Sequence, residues 1–337
     1  MTTSRILAGA FALPAFLLVG LAADTPPKPP LGLPAINWPK DNPYTQAKAD
    51  LGRLLYFDRR LSEDQSLSCA SCHAPNKGFT DNSPVSSGIK SQKGGRSAPT
   101  VINRVYSMAQ FWDGRAASLE EQAKGPIANP IEMGMTHDGV VERIRLVAAY
   151  RPLFAKAFGS EDIDIDRMAK AIACFERTVL SGNAPYDRYQ RGDKKAMTAQ
   201  QIRGMDLFVN RAKCDTCHEG ANFTLNSYHN LGVGMDKPEP DLGRFAVTKD
   251  PRDWGAFKTP TLREIEHTAP YMHDGSLKTL DEVVEFYNKG GIANKNLDAN
   301  MRLLHLNDQD KKDLVAFLKA LSGEGWQAIA EPASFPK

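Results

Sequence analysis

The sequence predicts a mostly α-helical chain of two related domains, each holding one covalently attached prosthetic group. Three observations predict it: a five-residue Cys-x-x-Cys-His motif that occurs twice, a block downstream of each motif that matches its counterpart without a gap, and apolar stripes of helical period around both. The 337 residues are 42% hydrophobic and 24% charged, an ordinary globular composition with enough chain for real cores. With 42 basic and 40 acidic residues the net charge is +2, which gives no electrostatic case for nucleic acid as a partner. Five cysteines are too few, and odd in number, for a disulfide scaffold.

Residues 1–23 read as an export signal: Arg5, an apolar run from Ile6 to Ala23 and a small-residue end at Gly20-Leu21-Ala22-Ala23. The alternative is an uncleaved anchor, which Pro14 and the short run disfavour. Residues 24–41, with Thr25-Pro26-Pro27-Lys28-Pro29-Pro30, form a stiff Pro-rich linker. No later stretch is apolar enough to span a bilayer, so the mature chain is expected in the periplasm as a soluble protein.

The N-terminal domain is expected over 42–182 and the C-terminal domain over 183–337. Cys69-Ala70-Ser71-Cys72-His73 and Cys214-Asp215-Thr216-Cys217-His218 have the spacing that attaches haem c. The two thiols add across the vinyl groups and the histidine ligates iron, so two haem c groups follow. Zinc requires four ligands where each motif supplies three, and a redox pair has no need of the histidine. Cys174 falls on an apolar helical stripe (Ile165, Met168, Ile172, Phe175, Val179) and reads as a small core residue.

Ahead of each motif lies a short helix, Gly52-x-x-Leu55-Tyr56 and then Gly204-x-x-Leu207-Phe208, the latter opened by a Thr198/Gln201 capping box. After each motif, Pro99-Thr100-Val101 aligns with Pro260-Thr261-Leu262. Trp112-Asp113-Gly114 aligns with His273-Asp274-Gly275, and Ser118-Leu119-Glu120-Glu121 with Thr279-Leu280-Asp281-Glu282. Both of the last blocks start a helix with a capping box. The first helix is expected to stop at Gly125-Pro126 and the second at Gly290-Gly291. The shared register sets Pro126 opposite Tyr287. Proline has no donor for a metal and tyrosine has a phenolate, so the first iron would be open and the second capped by oxygen. On spacing alone Tyr287 reads more readily as a core tyrosine than as a ligand. A final helix is expected from Asn307, with Leu314, Phe317, Leu318 and Leu321 on its apolar stripe.

The motifs Gln110-Phe111-Trp112-Asp113-Gly114-Arg115-Ala116, Leu119-Glu120-Glu121-Gln122-Ala123, Gly125-Pro126-Ile127, Glu132-Met133 and Ala269-Pro270-Tyr271-Met272-His273-Asp274-Gly275 give the chain a family likeness. From about Asn42 to Gly323 it resembles the bacterial dihaem cytochrome c peroxidases and their MauG-type relatives. The resemblance implies two cytochrome c-like helical domains facing each other. It implies His73 and His218 as proximal iron ligands and Trp112 between the haems as an electron relay. Gln122 and Glu132 would stand above the peroxide-binding haem, and Tyr287 would be the sixth ligand of the electron-transfer haem. It also implies a calcium ion at the domain junction, here near Ser97, Thr268 and Pro270.

Residue pattern alone leaves blander readings. Glu132 reads as a loop cap, Gln122 as solvent-facing and Trp112 as a core aromatic, while His137, Met133 and Met135 are rival sixth ligands of the first iron. His229, His267, His273 and His305 have no ligand argument. Where many family members carry a histidine in the loop after the first haem, this chain has Ile89, and no histidine falls between His73 and His137.

The function so implied is reduction of hydrogen peroxide to water with electrons from a small cytochrome c or copper protein. Glu132 would shuttle the proton and Gln122 would orient the peroxide. The alternatives are MauG-like oxidation of tryptophan or tyrosine in a partner protein, and a non-catalytic dihaem electron carrier. A homodimer is also among the expected assemblies.

Overall fold

The structure, a computed structural model, describes residues 24–337; the export signal expected over 1–23 lies outside the described residues. Each half is built on one pair of crossed helices. In the first, Thr45 caps the helix Gln46–Phe57, its hydroxyl accepting from the Lys48 N–H at 3.1 Å. That helix crosses Ile165–Glu176, which Asp164 caps through the Arg167 N–H at 2.7 Å. In the second half Ala199–Asp206 opens with the Thr198/Gln201 box and crosses Asp308–Lys319, opened by an Asn307/Asp310 box.

Glycine makes both crossings possible. A Cβ on Gly52 would lie 1.9 Å from the Ala171 carbonyl oxygen, and one on Gly204 would lie 1.9 Å from that of Asp313. The helices therefore touch backbone to backbone at one point, and aromatic rings fill the space beside it. Tyr56 meets Phe175 at 5.1 Å and Phe79 at 6.3 Å between centroids; in the other half Phe208 meets Phe317 at 5.1 Å and Phe223 at 6.3 Å. Two apolar cores result. One runs from Leu51 to Val179 with Trp326 added, and the other from Met197 to Leu321. Cys174 is fully buried, as a small core residue would be.

The duplication extends to strained backbone. Left-handed φ angles recur at Phe79 and Phe223, Asn82 and Asn226, Asn103 and Glu264, Phe111 and Met272, and Gly114 and Gly275. Such angles are uncommon for non-glycine residues, so their recurrence in register marks one loop plan used twice. The isolated bridges Gln110–Ala116 and Tyr271–Leu277 repeat as well.

Two expectations need correction. The first downstream helix does not stop at Gly125-Pro126: it spans Leu119–Ala128, with Pro126 inside, and its counterpart spans Leu280–Asn288. Proline near the end of a helix forfeits one N–H bond, here to the Gln122 carbonyl, while its fixed φ already suits the helix. Asn129 then caps the end through its N–H to the Gly125 carbonyl at 3.0 Å. The first capping box is also shifted. Ser118 accepts from the Glu121 N–H, but the Glu121 carboxylate bonds the Ala117 N–H at 2.7 Å rather than that of Ser118. Among the described residues no helix is long and apolar enough to cross a membrane.

Gly204→Ala is expected to destabilise the protein by about 1–3 kcal/mol, the range for forcing an extra carbon into a packed contact. Gly95→Ala, which meets nothing within 4 Å, should be neutral in the same denaturation series followed by circular dichroism.

Candidate active site

Cys69–Cys72 forms a single helical turn, and the Ser68 N–H donates to Ser71 Oγ at 3.0 Å. His73 follows it. The Ala74–Thr80 bridge folds the chain back so that the Phe79 carbonyl lies 3.4 Å from His73 Nδ1. In the second half Cys214–Thr216 forms the turn, and the Phe223 carbonyl lies 3.0 Å from His218 Nδ1. Each carbonyl accepts from Nδ1–H and leaves Nε2 free for a metal. Burial pushes both imidazoles down, His218 to about 4, so that both stay neutral.

The second loop is braced from below. Arg263, 1% exposed, makes a bidentate pair with Asp187 at 2.7 and 2.8 Å and donates from Nε to the Ala221 carbonyl at 2.8 Å. Its guanidinium also lies 5.5 Å from the Phe223 ring.

Each cysteine pair opens onto a cavity. The first, of about 510 Å³, is lined by Cys69, Cys72, His73, Pro126, Gln122 and Glu132. The second, of about 240 Å³, is lined by Cys214, Cys217, His218 and Tyr287. All four thiols are free, and among the described residues no group of three or more His, Cys, Asp or Glu could hold a bare metal ion. Largely apolar walls, two thiols at one side and a fixed imidazole suit a macrocycle joined at one edge better than a zinc ion.

The predicted site residues fall around these two spaces. Gln122 and Glu132 share the first cavity with Pro126, Met133 and Arg115. Glu132 is anchored by its main chain, its N–H donating to Asn129 at 3.0 Å and its carbonyl accepting from Ile89 at 2.8 Å. Burial raises its carboxyl pKa, with Arg115 and Asn129 pulling the other way. Ile89 is 2% exposed and outside the cavity lining, so its loop is stitched to the Glu132 backbone. His137 is also outside the lining, with Nε2 3.0 Å from the Lys124 carbonyl. Tyr287 faces the second cavity, its phenol pKa raised by burial, and its hydroxyl has no hydrogen-bond partner among the described residues.

Trp112 lines both cavities, and its indole N–H donates to the Ser97 carbonyl at 2.9 Å. At this wall the halves meet by a reciprocal pair of backbone bonds. The Ser97 N–H donates to His273 at 2.8 Å and the Lys258 N–H to Trp112 at 2.7 Å. In the repeat register Ser97 matches Lys258 and Trp112 matches His273, so the junction has a local two-fold axis. Ser97, Thr268 and Pro270 line the second cavity together.

Sequence reasoning missed Arg104, Lys258 and Glu176. Arg104 lines both cavities, Lys258 the second and Glu176 the first. For Lys258 a signal was available, because the gap-free register sets it opposite Ser97; nothing in the sequence marked Glu176 beyond its place on a buried helix.

Several known proteins are similar to this chain. Residues 46–195 match the family model for di-haem cytochrome c peroxidase. The methylamine utilization protein MauG of Methylorubrum extorquens is 44% identical over 289 residues, covering 85% of this chain and 81% of that protein. The cytochrome c551 peroxidase of Nitrosomonas europaea is 41% identical over 288 residues, covering 84% and 82%. A crystal structure of a MauG-like protein associated with microbial copper homeostasis superposes with a TM-score of 0.82 at 36% identity, covering 89% of this chain and 96% of that one.

Burial raises the Glu176 carboxyl to about 8, opposed by Arg104 and Arg177. A carboxyl raised in the folded state contributes stability that is complete below its unfolded value and is lost as pH rises through about 8. Glu176→Gln is therefore expected to raise the melting temperature of the holoprotein relative to wild type at about pH 9 and to change it little at about pH 4; calorimetry at both values checks it.

Proposed function

Because the chain belongs to the di-haem cytochrome c peroxidase family, we propose that it is a periplasmic enzyme that reduces hydrogen peroxide to water. Its electrons come from a small soluble redox protein, a cytochrome c or a copper protein. The observation that carries this reading is the asymmetry of the two cavities. Gln122, Glu132 and a proline stand in the first, and a phenol without a partner stands in the second.

Haem iron, when bound at His73 and His218, supplies the redox chemistry: two electrons and two protons convert one peroxide into two waters. Cys69 and Cys72 hold one group, and Cys214 and Cys217 the other. Glu132 takes the proton from the near peroxide oxygen and returns it to the departing one; its raised pKa suits a carboxylate that must be protonated in one step and free in the next. Gln122 donates its amide N–H to the peroxide and fixes its orientation. Trp112, common to both cavity walls, is the path for electrons between them. Tyr287 would hold the second iron through its phenol oxygen and so keep substrate from it.

Calcium has no part in the proposal. Ser97, Thr268 and Pro270 offer only neutral oxygens. Ser97 Oγ donates to Met272 at 3.2 Å and the Ser97 carbonyl accepts from Trp112, so a calcium ion there would need water to complete its shell.

Tyr287 also favours a second reading, MauG-like oxidation of tryptophan or tyrosine in a partner protein, since 44% identity to a MauG accompanies it. Intact mass spectrometry of proteins co-purified with the enzyme, before and after peroxide, distinguishes the two. Oxygen insertion or loss of hydrogens in a partner supports the second; unmodified partners with rapid peroxide consumption support the first.

Glu132→Gln is expected to slow peroxide turnover by about 10²–10⁴-fold, the usual worth of a positioned proton carrier, with haem content unchanged; turnover within twofold or so of wild type removes Glu132 from the mechanism. Paramagnetic resonance of the diferric protein should show one high-spin five-coordinate iron and one with oxygen opposite histidine. Tyr287→Phe should abolish the second signal and leave the first. Two six-coordinate irons at rest would identify a plain electron carrier instead.

A further inference from the structure

Lys258 is a buried amine with no partner for its side chain among the described residues. It is 3% exposed and lines the second cavity. Among the described residues no carboxylate lies within ion-pair distance of its ammonium and no hydrogen-bond acceptor meets it. Its backbone is fixed on both sides. It pairs with Tyr228 in the short antiparallel ladder and donates its N–H to Trp112, the residue common to both cavities. The Arg104 guanidinium adds a second positive charge to the same wall. Arg104 lines both cavities, and its one side-chain bond among the described residues runs from Nε to the neutral Gln110 amide at 3.1 Å.

Two like charges facing an apolar cavity are costly. A buried ammonium without a counter-ion forfeits several kcal/mol of hydration. Burial, and then Arg104, push the Lys258 ammonium down to about 6 when the cavity holds no anion. Burial likewise lowers Arg104 to about 10, with Glu176 pulling the other way. An anion in the cavity would restore the charge that burial withdraws from Lys258.

The macrocycle that Cys214 and Cys217 would hold carries two propionate carboxylates on the side away from its vinyl attachment. We propose that Lys258, with Arg104 beside it, is the cationic seat for haem propionates at the wall between the two cavities, Lys258 serving the haem of the second half. The seat makes Lys258 a positioning residue. It neutralises carboxylate charge next to the iron, favours the reduced form of the second haem and fixes the edge of the macrocycle that faces Trp112. Its repeat counterpart is Ser97, so the first half carries no charge at this register position. The proposal rests on the two-haem assignment.

The test uses the full-length holoprotein. Haem stoichiometry by pyridine haemochrome is measured first: fewer than two haems per chain is a failure of the two-haem assignment itself. With two haems present, spectroelectrochemical titration and resonance Raman follow for wild type, Lys258→Met and Lys258→Arg. At a fixed solution potential, the reduced-to-oxidised ratio of the second haem should fall about tenfold in Lys258→Met, as loss of one unit charge in a partly buried site implies. Lys258→Arg should restore it to within about twofold, and the propionate-bending bands should move in Lys258→Met only. Equal ratios and unchanged bands in all three overturn the proposal. Should Lys258→Met not take up haem, a crystal structure of the wild-type holoprotein decides. A propionate oxygen within hydrogen-bond distance of Lys258 Nζ supports the seat, and an Nζ bonded only to protein or water overturns it.

Discussion

Two backbone hydrogen bonds, from Ser97 to His273 and from Lys258 to Trp112, join the molecule's halves at the wall between the cavities, and side-chain bonds such as those of Arg96 to Asp241 and of Arg244 to the Asp113 carbonyl reinforce them. Because the partners exchange places across the local two-fold axis, neither bond can shift without the other. Everything that must act across the junction is mounted on these four residues or their neighbours. Trp112 is pinned a second time through its indole to Ser97, and His273 is stacked on Phe257 with 3.6 Å between ring centroids. Main-chain bonds are insensitive to side-chain identity, so this joint constrains geometry while leaving the side chains free to diverge.

The side chains have diverged at matched positions: proline against tyrosine at 126 and 287, tryptophan against histidine at 112 and 273, serine against lysine at 97 and 258. The scaffold beneath them did not. The glycine crossings, the aromatic pairs and the left-handed loop residues recur in both halves. A duplicated frame thus carries two unlike chemical environments, one cavity beside Glu132 and the other beside Tyr287.

Much of this was legible in the sequence, because covalent attachment requires fixed spacing. The two Cys-x-x-Cys-His motifs and the gap-free register identify the cofactors, the repeat and the opposition of Pro126 to Tyr287 without coordinates. What the sequence hid follows from tertiary context. Pro126 looked like a stop because a local rule penalises proline inside helices, yet the helix is held by its packing and by the Asn129 cap, which outweigh one missing bond. Lys258 is marked in the sequence only by its register opposite Ser97, because burial of a charge leaves no local trace. Glu176 sits on an otherwise apolar stripe, where its role depends on Arg104, distant in the chain.

The N-to-C order in which the chain becomes available for folding gives the crossed helices another meaning. In both halves the helix bearing the glycine precedes its cysteine pair, and the helix that meets the glycine backbone to backbone is the last of that half to be made: Ile165–Glu176 in one, Asp308–Lys319 in the other. Until that last segment arrives, each attachment motif belongs to an unfinished shell. Thioether formation thus has a period in which the thiols are reachable, and completion of the half afterwards buries what has been joined.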